Sequence, residues 1–281
     1  MKSRAAGFSL IEAMVALAIS SILVALVGSV FLVQNQFYAV QVKRSAAHDD
    51  ARSITAELGR ELRSVMYGGI TEASNKEITI RSPIVLAAVC SVTGQNVHVQ
   101  MEGGRAGLDT AEVAGIAVRN DTTGQWSYYN ATWADVASNG GNPAQHCYGN
   151  GADTVGGRDE FVTLKKLGFL IPSTPSVADV LMLYRETRFK IQTSALDPKT
   201  MGLFRAAYGD TLIEYVTGLD STAGFEYRTG GSTYATSVAS GSLQSIDAVR
   251  IIARTRLKPE TGLQKDVEFG WSTDFMLPNV R

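Results

Sequence analysis

Gly7-Phe8-Ser9-Leu10-Ile11-Glu12-Ala13-Met14-Val15-Ala16-Leu17-Ala18-Ile19 is the stretch that decides this chain. A basic leader, Met1-Lys2-Ser3-Arg4-Ala5-Ala6, precedes it, and no charge follows Glu12 until Lys43. From Ala13 to Val33 the residues are almost all Ala, Val, Leu, Ile, Met and Phe, interrupted by Ser20, Ser21, Gly28 and Ser29. At about 1.5 Å per residue this run spans roughly 30 Å of hydrocarbon. One carboxylate therefore stands at the mouth of a membrane-length helix. Placing it there costs on the order of 2.5 to 3.5 kcal/mol on insertion scales, so a compensating group is expected. Nothing basic lies near it in the helix. An α-amino group would serve, if the chain were cut just before Phe8 and the new ammonium lay at the same depth.

These residues resemble the prepilin signature of type IV pilins and type II secretion pseudopilins. The resemblance implies a cut after Gly7 by a membrane aspartyl prepilin peptidase and N-methylation of the new terminus, Phe8. It also implies that Glu12, fifth in the mature chain, pairs with a neighbouring subunit's ammonium during assembly. Two other readings explain less. A secretory signal would be cut after its apolar segment at a small-residue site, but Gln34-Asn35-Gln36-Phe37-Tyr38 follows Val33. A plain signal anchor would keep Lys2 and Arg4 on the cytoplasmic side, yet gives no reason for Glu12 or for Gly7-Phe8.

Past the membrane, Phe37, Val40, Ala47, Ala51, Ile54, Leu58, Leu62 and Val65 recur at spacings of three, four or seven. Charged residues from Lys43 to Arg63 mostly occupy the other faces, which describes one amphipathic helix continuous with the apolar segment. Gly68-Gly69 is its expected stop, making Phe8–Tyr67 a rod of about 90 Å. The alternative is a break at Gln34-Asn35-Gln36.

Composition then changes to strand and loop. Strands are expected at Glu77–Val89, Leu181–Gln192, Gly202–Ala207, Thr211–Val216, Gly224–Arg228, Ile246–Lys258 and Lys265–Phe275. A mainly antiparallel sheet packed on the helix stripe would bury both apolar faces, an α+β architecture. Ala178–Tyr184, Gly202–Arg205, Leu212–Val216, Gly224–Tyr227, Ala248–Ile251 and Phe275–Arg281 are similar in order to PilW-type minor pilins and, more loosely, to J-type pseudopilins. Glu57–Arg63 looks like that family's helix end. The ending departs from the family's common Leu-Arg-Asn through Pro278 and Val280, which leaves the last strand open.

The expected organisation is a cleaved leader at 1–7, a helix at 8–67 that is transmembrane over about 8–33, and a β-rich head at 68–281. Residues 91–157 read as a loop-rich insertion in that head. Ser138–Pro143 and Gly149-Asn150-Gly151 are loop composition, and Thr122–Tyr129 is half of a hairpin. Trp126, Tyr128, Tyr129 and Trp133 could build a sugar-binding surface, although aromatics alternating along a strand are usually core. An exported head lies in an oxidising compartment, so Cys90 and Cys147, the two cysteines, are expected to form a disulfide joining the insertion to the sheet.

No enzyme is expected: there is no phosphate loop or nucleophile elbow, and His48, His98 and His146 are scattered. Neither zinc nor calcium spacing is present, and no cofactor is expected. The sequons at Asn120 and Asn130 are read as chance. Removing Lys2 and Arg4 leaves 24 basic against 27 acidic side chains, which gives no electrostatic case for nucleic acid. An Arg250, Arg254 and Arg256 cluster is read as a solvated strand face.

The resemblance implies a minor type IV pilin that primes assembly or sits at the pilus tip, because a head with a radius of gyration of roughly 17 Å is bulky for a repeating subunit. Its partners would be major and minor pilins, the prepilin peptidase and the inner-membrane assembly platform. Before assembly it would be a single-pass inner-membrane protein with its head in the periplasm. A type II secretion pseudopilin and a tip adhesin remain open alternatives.

Overall fold

The computed structural model describes residues 9–94, 96–102, 108–120, 123–138, 161–164, 177, 179–257 and 267–277. They fall into two compact units, the described residues within 1–50 and 257–269 and those within 51–256 and 270–281. One long helix, α1, covers Leu10–Ser64. Its residues to Asp50 belong to the first unit and the remainder to the second. The run through Gln34-Asn35-Gln36 is helical, so the helix is continuous there as expected and the alternative break is absent.

The strands are β1 (Ile70–Ala73), β2 (Glu77–Thr93), β3 (Asn96–Met101), β4 (Gly115–Arg119), β5 (Trp126–Asn130), β6 (Ala137–Ser138) and β7 (Phe161–Leu164). They continue with β8 (Val180–Thr193), β9 (Met201–Ala207), β10 (Ile213–Leu219), β11 (Gly224–Arg228), β12 (Tyr234–Ala235), β13 (Ala248–Leu257) and β14 (Val267–Met276). The fold is α+β, a long N-terminal helix with antiparallel sheet, as in pilins.

β2 and β8 are the spine of the head, paired antiparallel from Glu77↔Lys190 to Ala88↔Val180. On the far edge of β8, β9 pairs with Thr187–Thr193 and β4 with Leu181–Tyr184. Along β2, β1 pairs with Ile78–Ile80 and β3 with Ala87–Thr93. Each long strand thus serves two cores.

The first core joins helix to sheet. Ile54, Leu58, Leu62 and Val65 pack with Ile78, Ile80, Phe189, Leu203, Phe225, Val249, Ile251 and Phe275. Residues four apart on a helix lie above one another, so this stripe lays a single face on the sheet. Gly59 permits the approach: a Cβ there would lie 2.8 Å from Cε1 of Phe275. The second core contains Val89, Val97, Val99, Met101, Ile116, Val162, Leu181 and Leu183. Met182 and Tyr184, on the opposite face of β8, close a third cluster with Ala114 and Ala117. Gly115 sits where β4 crosses Tyr184, and a Cβ there would meet the Tyr129 carbonyl oxygen and the Tyr184 hydroxyl, each at 2.3 Å.

Two expectations need correction. The helix ends at Ser64, short of Tyr67: the Val65 amide turns back to the Leu62 carbonyl at 3.3 Å while its side chain is drawn into the core. Gly68, at φ 75°, then reverses the chain into β1. The segment after Ser91 is also more ordered than loop composition suggested, since β3, β4, β5 and β6 extend the sheet. Of the expected half-hairpin Thr122–Tyr129, the residues Trp126–Tyr129 do enter a hairpin, with β5 paired to β4 from Gly115↔Asn130 to Arg119↔Trp126, while Thr122 lies outside the described residues. The loop-like stretches 139–143 and 149–151 lie outside the described residues. The C-terminal strand forms as β14, and Pro278 and Val280 also lie outside them.

Candidate functional site at the helix terminus

Among the described residues α1 is the one helix long and apolar enough to cross a membrane, with a mean hydropathy of 2.6 over its best window and none of that window buried. Leu10, Ile11 and Met14 present their side chains outward. Two of the polar interruptions satisfy themselves locally. Ser21 donates to the Ala18 carbonyl at 2.8 Å and Ser29 to that of Leu26 at 2.7 Å, which removes unbonded hydroxyls from a nonpolar surround.

At the start of the helix, Ser9 and Glu12 bond to each other twice. The Ser9 amide donates to Oε2 of Glu12 at 3.0 Å, and the Glu12 amide donates to Oγ of Ser9 at 3.3 Å. The Ser9 carbonyl accepts from the Ala13 amide at 3.2 Å, the first bond of the helix ladder. This is a capping box, satisfying two amides that would otherwise lack partners at the helix start. The carboxylate also lies at the positive end of the helix dipole. Glu12 therefore has a partner within its own chain, and the Ser-x-x-Glu spacing of Ser9 and Glu12 is the sequence signature of that cap. Gly7 and Phe8 lie outside the described residues.

A second polar cluster fastens the helix to the sheet. Glu61, with no exposed surface, accepts from Nη2 of Arg185 at 2.7 Å and from Oγ of Ser82 at 2.8 Å. Arg185 also reaches Oε2 of Glu112 at 3.1 Å, and Arg205 Nη2 lies 3.7 Å from Glu61. Burial works against the Arg185 cation, but Glu61 and Glu112 together raise its pKa. Across β2, Arg81 lies 5.3 Å from the ring centre of Tyr128 and 5.1 Å from that of Tyr184, while donating to Glu186 and to Asn130. Burial pushes the Tyr184 hydroxyl up to about 12. These clusters hold the head together.

The remaining sequence candidates separate. Cys90 lies on β2, its Sγ 3.2 Å from the His98 carbonyl oxygen, and Cys147 is outside the described residues. His98 Nδ1 and Thr163 Oγ1 are 2.9 Å apart, bridging β3 to β7. Trp126, Tyr128, Tyr129 and Trp133 are half-buried and pack against the second and third clusters, as core-facing aromatics do. Arg250 is held by Glu226 and Asp274, whereas Arg254 is exposed. Asn130 Oδ1 accepts from Arg81 and Tyr184, a structural use of that amide. Among the described residues no three of His, Cys, Asp and Glu gather as a metal-binding group.

Comparison with protein families matches residues 2–28 to the prokaryotic N-terminal methylation motif. The matched span contains the Gly7-Phe8 bond, the capping box and most of the apolar segment. The chain thus carries the N-terminus of a type IV pilin-like prepilin. Such a terminus implies processing by a prepilin peptidase, membrane anchoring before assembly and association with other pilins. No match is found among curated proteins or among solved structures.

Proposed function

We propose that this protein is a minor type IV pilin, a structural subunit that enters a pilus fibre at low copy, at its tip or in the complex that primes it. The reading is carried by Glu12, a carboxylate fifth after the Gly7-Phe8 bond at the head of a membrane-length helix, within the matched motif. The peptidase removes residues 1–7 and the Phe8 amine is methylated. Glu12 then compensates the Phe8 ammonium of a neighbouring subunit, so that two charges enter the apolar fibre core together. A charge pair is tolerable there where either charge alone is not. The head, with its own cores and a buried ionic clasp to the helix, is the part displayed outside.

The test compares processed protein in the membrane with protein in sheared fibres, for the wild type and for Glu12→Ala. Wild-type chain should appear in fibres far below the major subunit, and Glu12→Ala should be processed but left in the membrane. Normal incorporation of Glu12→Ala would remove the assembly role. Absence of the wild type from fibres would remove the pilus reading in favour of a secretion pseudopilin.

A further inference from the structure

We propose that the sheet face turned away from α1 carries a binding site for a neutral hexopyranose, in a cleft beside the turn between β9 and β10. Successive side chains along a strand point to opposite faces. Ile78 and Ile80 of β2, Phe189 and Ile191 of β8 and Leu203 of β9 pack with the helix. Thr79, Glu186 and Arg188 therefore fall on the other face, where they line a cleft of about 510 Å³ together with Glu72 of β1 and with Tyr208 and Asp210 of the turn. The Asp210 amide donates to the Ala207 carbonyl at 3.0 Å and Gly209 takes a φ of 80°, so the turn sets Tyr208 and Asp210 on either side of one glycine. Tyr208 is 46% exposed, an aromatic ring left half uncovered. Glu186 is held by Arg81 at 3.1 Å, and Glu77 by Arg188 and by Lys190 at 3.2 Å. Among the described residues the carboxylates of Glu72 and Asp210 have no hydrogen-bond or ion-pair partner, and Arg188 gives only its Nε–H to Glu77, keeping its two terminal nitrogens. A pyranose answers this combination. Its hydroxyls donate to the two carboxylates, its oxygens accept from the Arg188 fork, and its C–H face lies on the Tyr208 ring. Other ligands fit less well: four carboxylates against one guanidinium line the cleft, which repels an acidic sugar. Among the described residues no three of His, Cys, Asp and Glu gather closely enough for a metal ion. In the pilin reading α1 enters the fibre core and this face looks outward, the one point the inference takes from that reading.

The experiment measures binding of the full-length chain, in a detergent without a sugar headgroup, to immobilised oligosaccharides ending in glucose, galactose, mannose or glucuronate. At least one neutral set should bind and the glucuronate set should not. Tyr208→Ala and Asp210→Ala should each weaken binding on the order of tenfold, the weight of one anchoring ring or one charged hydrogen bond, with the urea midpoint of the head unchanged. Tyr208→Phe, which keeps the ring, should retain binding. Binding that survives both alanine variants, or that prefers glucuronate, would overturn the proposal, as would a failure to bind any neutral set at millimolar sugar. Calcium bound in the absence of sugar and lost in Glu72→Ala and Asp210→Ala would make the cleft a cation site and overturn it too. The assay needs no fibre and leaves Glu12 untouched, so a failure here and a failure of the pilin reading are told apart.

Discussion

Removing Arg185 should destabilise the head more than removing its partner Glu61, although the two share one salt bridge. Arg185→Ala strands a carboxylate with no exposed surface, leaving it the Ser82 hydroxyl at 2.8 Å and an Arg205 nitrogen at 3.7 Å. Breaking a buried pair from one side costs about 3 to 5 kcal/mol, and the nearby Arg205 places this case at about 3. Glu61→Ala strands instead a guanidinium whose side chain is 26% exposed and which still holds Glu112 at 3.1 Å. Water and Glu112 absorb part of that loss, giving about 2 kcal/mol. Replacing both by leucine removes charge and counter-charge together and should cost about 1 kcal/mol, less than either single change. The assay is urea unfolding of the full-length chain in detergent, followed by tryptophan fluorescence. All three tryptophans, Trp126, Trp133 and Trp271, lie outside the membrane helix and report on the head. Equal losses in the two single variants, or a double variant equal to their sum, would refute the reasoning.

The head should also lose stability in acid through Glu77. Burial alone would raise its carboxyl, but the hydrogen bonds and charges of Arg188 and Lys190 outweigh burial and hold its pKa below the ordinary 4.5. Its contribution is therefore complete above about pH 4.5 and disappears as pH falls through the lower folded value. Glu77→Gln should flatten that part of the profile, and an unchanged acid slope in the urea midpoint would contradict it. Cys90 and Cys147 should form one intramolecular disulfide closing a loop of about 60 residues, worth on the order of 4 kcal/mol in the chain-entropy model. Alkylation without reduction should modify neither residue, and labelling of both in the folded protein would exclude the bridge.

Where burial alternates along a strand, the sequence reads directly. In β13, Val249, Ile251 and Ala253 are buried as their alternation predicts, and β11 falls at Gly224–Arg228 without displacement. The strand expected at Leu181–Gln192 is present as β8 (Val180–Thr193), although Leu181, Met182, Leu183 and Tyr184 form an unbroken buried apolar run because β8 lies between two clusters. Legibility fails at the short strands. β1 and β4 are short, and β4 is built of Gly, Ala, Ile, Val and Arg, so neither carries a period long enough to identify it. The clasp between Glu61 and Arg185 joins positions 124 apart, which no local pattern announces. At the helix terminus, the cost of a charge near lipid singled out Glu12. The capping bonds of Ser9 are carried by the Ser-x-x-Glu spacing, which is a matter of unbonded amides and not of charge.

The central claim, that the chain is processed and used as a pilin, is tested most directly by the N-terminus of the protein recovered from cells. Mass spectrometry of the N-terminal peptide should find the chain beginning at Phe8, carrying one methyl group on its amine, with Glu12 retained in the helix that follows. An intact Met1 leader on the assembled protein, or a terminus created by a cut after Val33, would contradict the account.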